Sequence, residues 1–395
     1  MTRRTNIPKE ELSRTGGVSP ETSRAIAILR FILPFAVIAE HSFILNTFHV
    51  KGMVYDFANY PISRGLVYFI QTFVADFAVP CFFFISGYLF FSSGFSRDIY
   101  RRKLKSRFWS LLVPYVLWNA IMAGYIALHY TPLFTAFAPS LAGQSLDMTA
   151  GEFFYGLTLM PHNGTLWFIR ELIMMVVLSP LVFFLVKRFR WTIIGLFWCI
   201  WAACLAFTDN DYLVNLMYSV LFFSAGGAFA IMRKDPVAVM SKLRVASYVV
   251  FAVLGLSGFT MCFFTGYETA LALKAFTVPC ALFVSFTLAW LWGKSSARER
   301  LLGPHALSDR HPGLPFMIFA AHSLIIFDVQ ILVFAIVKPV TDTGVAACMV
   351  LTYICIALSI VVCHNLLCIV WPAAERLLTG RAGRKQKRGA TASGA

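Results

Sequence analysis

The chain has 395 residues, of which 58% are apolar and only 13% charged. An ordinary soluble domain is about 45–50% apolar and about 25% charged, so this chain lacks the polar surface for a water-soluble shell of its size. That excludes a soluble enzyme, a disordered chain and a disulfide-stapled secreted module. The net charge of +15 comes from 34 Lys and Arg against 19 Asp and Glu. The cations sit in short stretches between apolar runs rather than on an amphipathic face, which points to a lipid bilayer and away from nucleic acid.

A membrane-spanning helix needs about 20 mostly apolar residues. In chain order ten stretches qualify: 24–46, 72–93, 108–128, 166–186, 191–208, 212–232, 244–264, 270–292, 314–337 and 344–370. The predicted fold is an all-α, polytopic membrane helix bundle of about ten transmembrane helices. Residues 1–23 read as a cytoplasmic segment, 24–370 as the transmembrane domain and 371–395 as a basic cytoplasmic tail. With the N-terminus inside, the inner segments hold 28 Lys and Arg and the outer ones four, while Arg30 and Arg170 lie within helices. This asymmetry places both termini in the cytoplasm, consistent with an even number of spans. The first 23 residues are too long and polar for the leading region of a signal peptide, and the first apolar run contains Arg30. It reads as a retained helix.

All nine cysteines fall inside apolar runs, and neither C-x-x-C nor H-E-x-x-H occurs. Neither a disulfide framework nor a metal site is expected. Ser86-Gly87 and Gly226-Gly227 are small-residue pairs at which helix backbones could approach closely.

Ionisable side chains inside a bilayer are costly, about 2.5–3.5 kcal/mol each on insertion scales. The first helix carries Arg30, Glu40 and His41. The eleven-residue step from Arg30 to His41 turns 20° past three full turns, so both share a face, roughly 16 Å apart along the axis. Pro34 between them permits a kink. Glu40 points about 100° away, toward a neighbouring helix. The pattern suggests a polar path from the inner face to a titratable base deep in the membrane. The plainer alternative is a buried His41 paired with Asp76 and an Arg30 that snorkels to the cytoplasm. At the fourth helix, Trp167 and Arg170 either bind a polar acceptor at the outer mouth or form an interfacial anchor with a local Arg170–Glu171 ion pair. His322 and Asp328, six residues apart, lie on different faces of the ninth helix, and His322 suits a structural or orienting role. Asn163-Gly164-Thr165 fits a glycosylation sequon and is given no weight beside the membrane.

The segment from Arg30 to His41 is an R-x10-H pattern. Downstream stand Pro80-Cys81-Phe82-Phe83-Phe84-Ile85-Ser86-Gly87-Tyr88, the basic run Tyr100–Phe108 with Pro114-Tyr115 beyond it, Leu166-Trp167-Phe168, Phe319-Ala320-Ala321-His322 and Leu378-Thr379-Gly380. In this order the set resembles the acyltransferase 3 family of integral-membrane acyltransferases over nearly the whole chain. Two departures stand out. Phe319 replaces a Tyr, and the R-x-x-x-R expected beside the third helix is met conservatively by Lys103–Arg107 and literally by Arg97–Arg101.

The resemblance implies an O-acyltransferase of a bacterial inner membrane. Its acyl group, expected to be acetyl, would pass from cytoplasmic acetyl-CoA, a co-substrate rather than a resident cofactor, to a hydroxyl of a surface glycan, glycolipid or exported glycoside. Succinyl or a longer acyl group would need similar cations. No attached extracytoplasmic domain is expected. Arg30, Lys103 and Arg107 would dock the acyl-CoA phosphates, and His41 would act as general base with Arg30 in the catalytic face. A covalent acyl-His intermediate stays open. Glu40, Asp76, Trp167, Arg170 and His322 would support the acceptor side. The rival class is a secondary transporter of a small anion, but residues 200–395 hold no second copy of the Arg30–His41 pattern, as an internal repeat would require.

Overall fold

A computed structural model describes residues 17–41, 48–50, 53–129, 131, 149–158, 161–264, 273–294 and 311–382. The N-terminal segment to 16, the end of the first expected span at 42–46, most of the outer segment 129–163 and the tail from 383 lie outside them.

The first helix, α1 (Pro20–His41), begins where Ser19 and Thr22 hydroxyls donate to the Asp235 carboxylate, which itself caps the short α11 (Pro236–Lys242). This ties the first and middle thirds of the chain together at one end of the bundle. A two-stranded antiparallel hairpin follows, β1 (Phe48–Val50) with β2 (Met53–Tyr55), the only strand pair among the described residues. Tyr55 seats it edge-on against Phe334, with ring centroids 4.9 Å apart.

The second span runs from α2 (Pro61–Phe69) through a π-helical stretch, Ile70–Ala75, into α3 (Ala78–Ser92). The basic run between the second and third expected spans is itself a helix, α4 (Arg97–Arg107), capped by Ser96 and continued through a π-turn, Phe108–Leu112, into α5 (Val113–His129). A rich supply of Lys and Arg favours helix over loop once a Ser cap is present. After α6 (Ala150–Thr158) come α7 (Trp167–Val177) and α8 (Ser179–Phe189). The expected span 166–186 is thus broken: the chain bends by 67° at Leu178, just before Ser179-Pro180. Pro180 has no N–H to continue the ladder, so the break falls at the start of its helix.

Then follow α9 (Trp191–Phe207), α10 (Asp211–Ile231), α12 (Arg244–Phe264), α13 (Lys274–Gly293), α14 (Leu314–Val337), α15 (Asp342–Val370) and the short α16 (Pro372–Leu378). Every predicted span has a helical counterpart. Among the described residues eight helices are long and apolar enough to cross a membrane alone, the α7–α8 pair forms a broken ninth, and α9 is a shorter apolar helix of 17 residues.

Lipid tails are as apolar as leucine, so close packing and polar contacts, not burial alone, hold such helices together. The tightest seam joins α3 to α10. A Cβ on Gly87 would strike the carbonyl of Phe223, and one on Gly226 would strike that of Phe84. Both small-residue pairs read from the sequence sit in this seam. Helix α1 packs against α3, α13 and α14, burying Leu29, Leu33 and Val37. It therefore runs through the bundle, with Glu40 and His41 half-buried and Arg30 exposed at a cavity.

Candidate active site

Arg30 and Arg107 both line two adjoining cavities. The inner one, about 320 Å³, opens toward the segment after α16. The deeper one, about 350 Å³, runs between α1, α3, α7 and α14, past Pro34 and Ser86. Its lining includes Phe82, Phe168 and Phe319. These three rings pack on one another, with centroids 5.6 Å (Phe82–Phe168), 5.4 Å (Phe168–Phe319) and 6.5 Å (Phe82–Phe319) apart.

Phe319 also meets His322 edge-on, with centroids 6.4 Å apart. One turn past Phe319, His322 stacks on His41, the rings 5.4 Å apart and tilted by only 19°. The cavity thus runs from two arginines to an aromatic collar, and behind the collar Phe319 packs on one of a pair of imidazoles from different helices, neither of which lines the cavity. His322 is fully buried. Its Nδ1 lies 3.1 Å from the Ile318 carbonyl, which fixes the proton on that nitrogen and leaves Nε2 as an acceptor with no hydrogen-bond partner among the described residues. A buried acceptor without a donor is costly, about 1–3 kcal/mol, and is the kind of atom that a bound hydroxyl would satisfy.

The backbone around His322 is stitched in place. The Asn163 amide donates to the Ala320 carbonyl at 2.9 Å, and its Oδ1 accepts from Ser323 at 2.8 Å and Thr165 at 2.7 Å. The Asn163 N–H in turn donates to Asn119 Oδ1 at 3.2 Å. Asn163, which looked like a discounted sequon, is a buried junction joining α5, α7 and α14. Its sequence gives no sign of that, because the partners other than Thr165 come from two distant segments, α5 and α14.

The remaining predicted residues divide between the path and its surroundings. Glu40, 100° round α1, keeps one carboxylate oxygen buried without a hydrogen-bond partner, and its backbone carbonyl accepts from Gln71 at 2.8 Å. Asp76 does not pair with His41. It lies 3.4 Å from Lys274 of α13, and its backbone carbonyl accepts the Tyr218 hydroxyl at 2.9 Å. Trp167 packs near Phe83 and Tyr218. Arg170 forms the local ion pair, 2.7 Å from the fully buried Glu171, and lies over the Tyr212 ring. Asp328 accepts the Tyr125 hydroxyl, away from His322. Lys103 lines neither cavity; its ammonium turns back to the Phe90 carbonyl and lies over the Phe90 ring. The sequence missed Arg381, which lines the inner cavity beside Arg30 and Arg107.

Comparison with known proteins fits this arrangement. The succinoglycan biosynthesis protein ExoH of Rhizobium meliloti (strain 1021) is 26% identical over 279 residues, covering 67% of this chain and 69% of that protein. No solved structure matches. The acyltransferase 3 model, described as an acyltransferase domain, matches residues 24–367, from the start of α1 to the end of α15. That span takes in Arg30, Arg107, every residue that lines the deeper cavity, the collar and both histidines, while Arg381 lies beyond it: the chain belongs to the acyltransferase 3 family and is a multi-pass membrane acyltransferase.

Proposed function

We propose that the enzyme moves an acyl group, acetyl in the simplest case, from cytoplasmic acyl-CoA to a hydroxyl of a glycan or glycolipid at a bacterial inner membrane. The carrying observation is the continuity from Arg30 and Arg107 through one cavity to the collar that meets His322, stacked on His41. The glycan acceptor is supported by the likeness to a succinoglycan biosynthesis protein. The cytoplasmic side of the donor is supported by the 28-to-4 split of cations across the expected spans.

In this reading the guanidiniums hold the donor phosphates, and the thin pantetheine arm follows the cavity toward the collar. His41 takes the proton of the acceptor hydroxyl as its oxygen attacks the thioester carbonyl. The carbonyl–sulfur bond breaks, the new ester forms, and the thiolate leaves and takes up the proton. The neighbouring His322, held by Ile318, keeps the pair rigid and offers Nε2 as an acceptor to a second hydroxyl of the acceptor, beside the one His41 deprotonates. Two positive imidazoles at this spacing would repel strongly, so no more than one ring of the pair is cationic at any stage of the reaction.

Purified protein in lipid, given radiolabelled acetyl-CoA and a crude glycan extract, is expected to release CoA thiol and label the glycan. His41→Ala is expected to abolish both while the protein remains inserted and monodisperse. Normal product from that variant would remove the general-base role, and thiol release without labelled glycan would remove the acceptor assignment. Sidedness has its own check. Cysteines introduced at Ser96 and Ser140 in wall-stripped cells should differ, with an impermeant thiol reagent labelling Ser140→Cys and sparing Ser96→Cys. The opposite result would overturn the cytoplasmic donor site.

A further inference from the structure

The inner cavity is lined by three arginines from opposite ends of the chain: Arg30 from α1, Arg107 from the end of α4, and Arg381 just after α16. The placement of the third is built by several independent contacts. The Trp118 indole donates to the Leu378 carbonyl at 3.0 Å. Gly380 has φ of +70°, and a Cβ there would strike the carbonyl of Ser110 in the π-turn after Arg107. Only glycine lets the chain turn that closely against this wall. The N–H groups of Arg381 and Ala382 then donate to the Arg376 carbonyl at 2.7 and 3.0 Å, closing the turn.

The Arg381 side chain is held as well. Its Nη1 donates to both oxygens of Glu375, at 2.8 and 3.0 Å. Glu375 is buried, and His364 Nε2 of α15 lies 3.5 Å from Oε1. Burial works against ionising this carboxyl, but His364 and Arg381 outweigh it and hold its pKa below the ordinary glutamate value. The carboxylate is therefore charged at neutral pH and anchors the guanidinium. His364, Cys368 and Glu375 also bring donor atoms within 4.8 Å of one another, a grouping that could suit a metal ion. With both Glu375 oxygens already on a guanidinium, the cluster works as a holder for Arg381.

A guanidinium has five N–H donors. One nitrogen of Arg381 is committed to Glu375, and the remaining edge is available to an anion. Three arginines around one cavity suit a ligand bearing several phosphates, since phosphate accepts bidentate contacts from each. We infer that Arg381 is a third phosphate-binding residue of the donor site and that Glu375, with His364, is a positioning residue that aims it. The inference rests on the acyl-CoA reading above and adds to it a contribution from the turn after α16, which closes the donor pocket.

The test is calorimetric titration of the full chain, in nanodiscs of zwitterionic lipid so that anionic headgroups do not compete. The ligands are CoA, 3′-dephospho-CoA and pantetheine. Arg381→Gln is expected to weaken CoA at least about tenfold, the loss of one charge-assisted contact. Arg381→Lys, which keeps charge but not the fork, should fall between it and wild type. Glu375→Gln should raise the donor KM while leaving kcat at saturating donor unchanged, a split that general unfolding would not produce. Pantetheine binding should be the same in all four proteins. If wild type prefers CoA to pantetheine and neither Arg381 variant differs from it, the role of Arg381 is refuted and the acyl-CoA reading stands. If wild type binds CoA no better than pantetheine, or binds neither, the acyl-CoA reading falls and the inference falls with it.

Discussion

Two cavities of nearly equal size lie on different sides of α3. The one described above holds about 350 Å³ and carries Arg30 and Arg107 on its walls. The other, between α9, α10 and α13, holds about 380 Å³ and is lined by Trp191, Trp198, Phe222, Phe229 and other side chains without charge. Volume alone would favour the second. In a bilayer, however, an apolar groove costs nothing to fill with a lipid chain, whereas an arginine inside a bundle persists only when something there uses it. Lining chemistry, and a collar that packs on His322, make the first the candidate site.

Filling each cavity with the same bulk is the sharpest way to break this comparison. Ser86 lies in the cationic cavity and Gly195 in the apolar one. A Cβ on Gly195 would meet nothing nearby, so a side chain there projects into open space. Ser86→Phe is expected to abolish or nearly abolish turnover, and Gly195→Phe to leave it close to wild type at equal membrane levels. Loss of activity in both, or in Gly195→Phe alone, would mean that the apolar groove also takes part in the reaction.

Removing charge while keeping volume comes next in size. Arg30→Gln and Arg107→Gln should each weaken the acyl-CoA donor by about 1.5–3 kcal/mol, the range for a hydrogen bond to a charged group. That is roughly a ten- to hundredfold rise in donor Kd, with acceptor affinity unchanged. A matching loss of acceptor affinity in the same titrations would show that the arginines shape the bundle instead of holding the donor.

Part of the candidate site is legible in the sequence, for a physical reason. Charges in a membrane helix are so costly that their positions carry information, and the 3.6-residue period places Arg30 and His41 on one side of α1 without tertiary knowledge. The glycines of the α3–α10 seam were readable for a similar reason, since small residues in apolar helices mark close contacts. What stayed hidden depends on how the chain returns on itself. The stack of His41 on His322 joins helices at opposite ends of the sequence. The 67° break at Leu178 hides in a continuous apolar run, with Pro180 as its only mark. Arg381 looks like one more cation of a basic tail until Gly380 brings it against Ser110.

Lys103 gives the smallest and most discriminating effect. The sequence placed it with Arg107 as a phosphate contact, and a spacing of four residues does put the two on one face of α4. The lysine stem is long enough to fold back, however, and its ammonium caps the Phe90 carbonyl at the C-terminal turn of α3 and covers that ring. A cation at a helix C-terminus satisfies an otherwise unpaired carbonyl and the helix dipole, a contribution of about 0.3–1 kcal/mol at such a site. Lys103→Met keeps the apolar stem and deletes the charge. It should therefore change donor KM by no more than about twofold, while lowering the melting temperature of the purified protein by a few degrees at most. Arg107→Gln in the same background should show its full donor effect, because the two side chains act on different partners. A donor KM raised about tenfold by Lys103→Met, with melting unchanged, would return Lys103 to the phosphate site and show that α4 presents both cations to the same ligand.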